Sequence, residues 1–309
     1  MKNILDIEQF HQFDNLDLIA REVVEGFITG LHRSPFHGFS VEFAEHRLYN
    51  QGESTKHIDW KLFARTDKLF IKQYEEETNL RCQVVVDTSS SMLFPYSKGN
   101  KFLQNKLAFS VYCAAALIYL LRRQRDAVGL TLFSDQIESH LDARLSSVNA
   151  ELMYTKLAAL IQPENYQLRK KTNTVDSLHQ IAEKIHKRSL IVIFSDMIET
   201  NKTDELFSAL QHLRYNKHEV ILFHVTDHQQ EREFGYSNRP HRFIDLETGH
   251  QVKFNPHEVK SHYIDTVKSY FGELKVKCGQ YQIDLAEADI NKDFYQVLYA
   301  YLVKRKRFF

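Results

Sequence analysis

Four short runs of apolar, largely β-branched residues dominate the chain: Cys82–Val86, Val128–Phe133, Leu190–Phe194 and Val220–Val225. A strand that is apolar on both faces has to be covered on both, which is the condition of a parallel sheet sandwiched between helices. Helical spacing supplies the covers, at about 100–123, 148–161, 175–186 and 203–215. The expected architecture is therefore α/β, with a mostly parallel central sheet and helices on both faces. After Asp227 the alternation breaks. Arg242–Leu246 and Gln251–Phe254 flank Glu247-Thr248-Gly249-His250, which predicts a hairpin excursion over about 230–256. A helix over about 257–277, a last strand at Gln282–Leu285 and a terminal helix over about 292–304 complete the pattern.

The chain ahead of residue 81 reads differently. Leu16, Ile19, Ala20, Val23, Val24 and Phe27 recur at helical spacing, and Gly30 can end that helix. Phe39–Phe43 and Leu69–Tyr74 alternate as strands do. Residues 1–80 are thus expected to form a small N-terminal α+β unit, and 81–309 the α/β domain.

Composition narrows the class. The 309 residues carry 40 Lys plus Arg against 40 Asp plus Glu, with 43% apolar residues, so neither a disordered chain nor a collagen or coiled-coil rod is expected. Charge neutrality gives no footprint for nucleic acid. Cys82, Cys113 and Cys278 are widely spaced and make no CxxC pair, which fits reduced thiols in a cytoplasmic protein. The most apolar stretch, Leu107–Leu121, falls short of the roughly 20 residues that span a bilayer, so a buried helix is expected and no membrane span.

Chemistry concentrates where the first apolar run ends, at Asp87-Thr88-Ser89-Ser90-Ser91. In an open α/β sheet ligands bind beyond the carboxyl ends of the strands. A D-x-S-x-S sequence there offers one carboxylate and two hydroxyls, oxygen donors that suit a hard cation such as Mg²⁺. The same hydroxyls can also simply cap turns. Ser195-Asp196 closes the next central run and brings a second carboxylate to the same edge, and Thr172, ahead of a helix, adds another hydroxyl.

Asp87, Ser89, Ser91, Thr172 and Asp196 together resemble the metal-ion-dependent adhesion site of von Willebrand factor A domains, whose Rossmann-like fold agrees with the expected sheet. The resemblance implies Mg²⁺ or Mn²⁺ on these residues, with a partner protein supplying a further carboxylate. Thr174 is an alternative loop ligand; counting back from Leu178, where family members carry a helix Leu, selects Thr172. Upstream, Arg47-x-Tyr49-x-x-Gly52-Glu53, Lys56-His57-Ile58-Asp59-Trp60, Ala64-Arg65 and Gln73-Tyr74-Glu75 are similar to the signature of the domain of unknown function 58 family. Glu53 stands where Asp is usual there, and Lys56 where Arg is usual. That resemblance implies a partner or adaptor of a MoxR-type AAA+ ATPase in a chaperone-like or stress-related assembly. Arg47, Tyr49, Asp59, Trp60 and Arg65 are read as a partner surface or as a network that docks the small unit.

A non-catalytic, divalent-metal-dependent protein-binding module is the expectation. The alternative is a metal-dependent hydrolase or phosphotransferase using Asp87. Such chemistry of the haloacid dehalogenase kind needs a second carboxylate two residues on, where this chain has Ser89. His257-Glu258 and His262 miss the zincin spacing by one residue, and neither a Walker A sequence nor G-x-S-x-G occurs.

Overall fold

The computed structural model describes residues 16–32, 46–48, 60–66, 68–72, 80–96, 105–170, 173–198 and 203–305. Contacts divide the chain into two compact units, residues 1–27 with 80–309, and residues 28–79.

The smaller unit holds β1 (His46–Leu48), α2 (Trp60–Thr66) and β2 (Phe70–Lys72), with β1 and β2 antiparallel and Arg47 opposite Ile71. The strand expected at Phe39–Phe43 lies outside the described residues. Helix α1 (Leu16–His32) begins in the larger unit. There its apolar stripe is buried, and Phe27 packs on Tyr295 with ring centroids 5.3 Å apart. That stripe draws residues up to 27 into the larger unit, so the division falls at 28, inside the expected 1–80 segment.

The larger unit is built on a six-stranded sheet. Its strands are β3 (Arg81–Asp87), β4 (Ala127–Phe133), β5 (Ile137–Arg144), β6 (Leu190–Ser195), β7 (Glu219–Thr226) and β10 (Asp284–Asp289), in spatial order β10-β7-β6-β3-β4-β5. Every pairing is parallel except β4 with β5, which a turn at Ser134–Gln136 joins as an antiparallel edge. The α/β expectation, with a mostly parallel sheet, holds.

Side-chain alternation sends each strand's residues to opposite faces. On one face Val85, Ile191, Ile193, Val220 and Leu222 pack in a single core with α5 (Thr174–Lys184), α6 (Thr203–Tyr215) and the C-terminal part of α7 (Pro256–Gln280). The other face is covered by α3 (Lys106–Arg123), α4 (Ser147–Leu160) and α8 (Tyr295–Arg305). Fifteen of the 18 residues of α3 are buried, which explains why it is apolar all round. It remains a helix inside the protein, and no described helix is long and apolar enough to cross a membrane.

Two glycines carry backbone requirements. Gly129 sits at an irregularity between β4 and β5, where an added Cβ would lie 2.5 Å from the Leu141 carbonyl oxygen and 2.6 Å from Ala143 N. Gly249 has φ +75° in the turn of the β8 (His241–Ile244) and β9 (Gln251–Phe254) hairpin, the excursion expected from the sequence.

Two C-terminal boundaries differ from expectation. β10 starts at Asp284, later than the expected Gln282, because Gln282 has φ +56° in the turn out of α7. Helix α8 starts at Tyr295 because Asn291 and Lys292 are drawn into a turn on Asp289.

Candidate metal centre

The order of the sheet fixes where a site can form. From β3 the chain moves through α3 to β4 and β5 on one side; it then returns past β3 to β6, β7 and β10 on the other. Such a reversal opens a crevice between the carboxyl ends of the two strands that flank it. Here these are β3 and β6, and the register Val86 opposite Phe194 brings Asp87 level with Ser195.

Asp87 is the last residue of β3 and is 1% exposed. Its Oδ1 accepts from Ser89 N at 2.9 Å, and its Oδ2 accepts from Ser195 Oγ at 2.7 Å, a bond across the crevice. Ser195 Oγ in turn accepts from Met197 N at 2.9 Å. Ser89 and Ser91, at alternate positions of the turning loop, place their hydroxyls 3.0 Å apart. The residue between them, Ser90, points away and fastens the loop: its Oγ accepts from Lys170 N at 2.8 Å and donates to Gln167 O at 2.9 Å. Asp196 follows β6, is 2% exposed, and has the Ser91 hydroxyl within reach of its carboxylate. Four of the five expected donors, Asp87, Ser89, Ser91 and Asp196, therefore meet at one rim. Thr172 lies outside the described residues. Thr174 is buried as the first residue of α5, behind the Asn173 cap.

The electrostatics separate the two carboxyls. Burial pushes Asp87 up to about 7, and the neighbouring charge of Asp196 adds to the rise. Burial would raise Asp196 as well, but the Lys106 ammonium and the Ser91 hydroxyl hold it below the ordinary carboxylate range. Lys106 Nζ lies 2.7 Å from Asp196 Oδ2 and 2.6 Å from Glu231 Oε1, with the lysine side chain 1% exposed. Burial alone would lower Lys106; Asp196 and Glu231 reverse this and keep it charged. Glu231 comes from a π-turn, His228–Arg232, that follows β7, and its Oε2 accepts from Asp227 N at 2.8 Å. Behind Asp196, His224 Nε2 donates to the Asp196 carbonyl at 2.8 Å. Burial pushes His224 down to about 3, so it stays neutral.

The donor chemistry fits a hard divalent cation. Two carboxylates and two hydroxyls offer only oxygen, the preference of Mg²⁺ and Mn²⁺. Among the described residues no three His, Cys, Asp or Glu side chains form a metal-holding group, so the set depends on its hydroxyls. Among the described residues no cationic side chain pairs with the second carboxyl, Asp87, whose pKa is raised by burial and by the charge of Asp196.

Residues 45–269 match the family described as protein of unknown function DUF58. The chain belongs to the DUF58 family. Its similar relatives include the uncharacterized proteins Mb1516 of Mycobacterium bovis and Rv1480 of Mycobacterium tuberculosis, each 24% identical over 212 residues. These alignments cover 69% of this chain and 63% of the relatives' length. Among solved structures, the conserved hypothetical protein BatB from Bacteroides thetaiotaomicron is similar at 12% identity and a TM-score of 0.43, over 73% of this chain and 98% of that one. An aerotolerance-related membrane protein from Bacteroides fragilis is similar at 11% identity and a TM-score of 0.41, over 73% and 97% of the two chains.

The residues of the DUF58 signature lie in the smaller unit. Arg47 is in β1, Trp60 opens α2, and Arg65 is exposed in the last turn of α2, whereas Tyr49 and Asp59 lie outside the described residues. Sequence reasoning missed Lys106 and Glu231. Lys106 did carry a signal: a cation in the first turn of a helix opposes the dipole, so a buried one needs carboxylates elsewhere to hold it. Glu231 carried none, being one acidic residue in a polar stretch 125 positions away from its partner.

Proposed function

We propose that this chain is a divalent-metal-dependent protein-binding module, with Asp87, Ser89, Ser91 and Asp196 as ligands and Thr172 as the fifth. The supporting observation is the convergence of these four side chains at the crevice between β3 and β6, with no cationic side chain among the described residues paired to Asp87. The arrangement resembles the metal-ion-dependent adhesion site of von Willebrand factor A domains. A bound Mg²⁺ or Mn²⁺ would offer a vacant coordination position to an acidic side chain of a partner. Asp87 and Asp196 hold charge at the rim, the serine hydroxyls add donors without adding charge, and the Ser90 staple fixes the loop.

A non-catalytic role accords with His224. It is buried beside Asp196, spends Nε2 on that residue's carbonyl, and is pushed down to about 3 by burial, which makes it a weak base. The partner proposed from the family resemblance is a MoxR-type AAA+ ATPase. Affinity capture on the full chain in Mg²⁺, in chelator, and with Asp87→Asn tests the reading. An AAA+ ATPase retained only by the wild type in Mg²⁺ is the expected result. Equal recovery in chelator, or by Asp87→Asn, rejects it.

A further inference from the structure

Lys106 is more than a structural ion pair, because of what it neutralises. Three buried or largely buried carboxylates, Asp87, Asp196 and Glu231, are linked through the Ser89 and Ser91 hydroxyls and the Lys106 ammonium into one cluster. Among the described residues, one positive charge, Lys106, sits within the cluster against three carboxylates. The flanking cations are spent elsewhere: Arg232 NH1 pairs with Glu287 at 3.1 Å, and Lys170 pairs with Glu138. His224 is neutral. With Lys106 in place the cluster is two positive charges short; without it, three.

We propose that Lys106 is the specificity-determining residue of the site, a built-in counterion that sets the cluster's deficit at two charges and so selects a divalent over a trivalent cation. The proposal rests on the metal-binding reading above. Geometry supports a fixed role for this ammonium. Lys106 is the first residue of α3, its N–H donates to Phe94 O at 2.9 Å, and Asn105 caps the helix by accepting from Ala108 N at 2.7 Å. The lysine is thereby tied to the same loop that carries Ser89 and Ser91, and its charge is delivered through Asp196 Oδ2, while Asp196 Oδ1 accepts from Ile198 N at 3.3 Å. Glu231 then acts as the second hand on the ammonium and contributes a negative charge without being a ligand.

The test is calorimetric titration of the chelator-treated full chain with MnCl₂ and with TbCl₃. Glu231→Gln keeps an acceptor for Lys106 but cuts the deficit to one charge. A unit charge removed near a divalent ion in a partly wet site changes its dissociation constant by about tenfold to a hundredfold, so Mn²⁺ binding weakens by that factor. Lys106→Met combined with Glu231→Gln restores a deficit of two, and Mn²⁺ affinity returns to within about threefold of wild type by the same reasoning. Lys106→Met alone raises the deficit to three and shifts preference from Mn²⁺ toward Tb³⁺ by about tenfold or more. Should that single variant fail to fold, the other three proteins decide the matter. A double variant as weak as Glu231→Gln, or a Glu231→Gln protein that binds Mn²⁺ like wild type, overturns the role of Lys106 alone. A wild-type chain that takes up no Mn²⁺ overturns the metal-binding reading and this inference with it.

Discussion

Replacing Asp87 by Asn should stabilise the metal-free protein at pH 8 while abolishing its response to metal. Asp87 titrates near 7 in the fold against 3.8 ordinarily. A rise of about 3 in pKa at 1.36 kcal/mol each makes the ionised carboxylate cost about 4 kcal/mol at pH 8. The sign follows from protonation: a raised carboxyl is comfortable below about pH 4, and its contribution is lost as pH climbs through 7. Asn keeps an acceptor for Ser89 N but presents an amide donor to Ser195 Oγ, which already accepts from Met197 N. That leaves the Ser195 hydroxyl hydrogen without its acceptor and returns about 1–2 kcal/mol. The net gain is about 2–3 kcal/mol, or roughly 5–10 °C in Tm for a unit of this size. Differential scanning calorimetry at pH 4 and pH 8, with and without 5 mM MnCl₂ (on the order of a thousandfold above a micromolar Kd), reads all four conditions. Wild type should gain stability on metal addition at pH 8 and the variant should not. A variant less stable than wild type at pH 8 without metal, still rising with Mn²⁺, would refute both the charge deficit and the ligand role.

Other outcomes follow from the same geometry. Asp196→Ala leaves the Lys106 ammonium buried with half its compensation and costs about 3–5 kcal/mol, whereas Asp196→Asn, which still offers an oxygen, costs less; chemical unfolding of both ranks them, and equal midpoints contradict this. His224 is pushed down to about 3 from 6.5, so the stability of its neutral form is present above pH 6.5 and drains as pH falls toward 3. His224→Gln should therefore flatten the acid limb of a Tm profile between pH 6.5 and 4, and parallel profiles would count against it. Gly129→Ala forces a Cβ onto the β5 backbone and should destabilise the protein by about 3 kcal/mol, read from urea unfolding; a loss below about 0.5 kcal/mol would show that β5 yields.

Much of this was written locally in the chain. β3, β4, β6 and β7 could be read because burial on both faces leaves uninterrupted apolar runs. Asp87, Ser89 and Ser91 lie within five residues, and Asp196 ends a strand, so their shared edge followed from strand direction alone. β10 was harder: Asp284–Asp289 carries three acidic residues, its register being set by β7 and not by its own hydrophobicity. The Lys106–Glu231 contact was beyond reach, since it depends on how a π-turn after β7 folds back over the start of α3. The boundary inside α1 depends likewise on a tertiary contact, Phe27 on Tyr295, that periodicity does not encode.

The antiparallel β5 has one further consequence. Among the described residues it pairs with β4 alone, so its outer backbone groups form an open flank of the sheet, and Glu138, Asp142 and Arg144 stud that margin with charge. Charged residues along such a margin discourage another chain from zipping on as a seventh strand. Backbone pairing of another chain along β5 is thereby disfavoured.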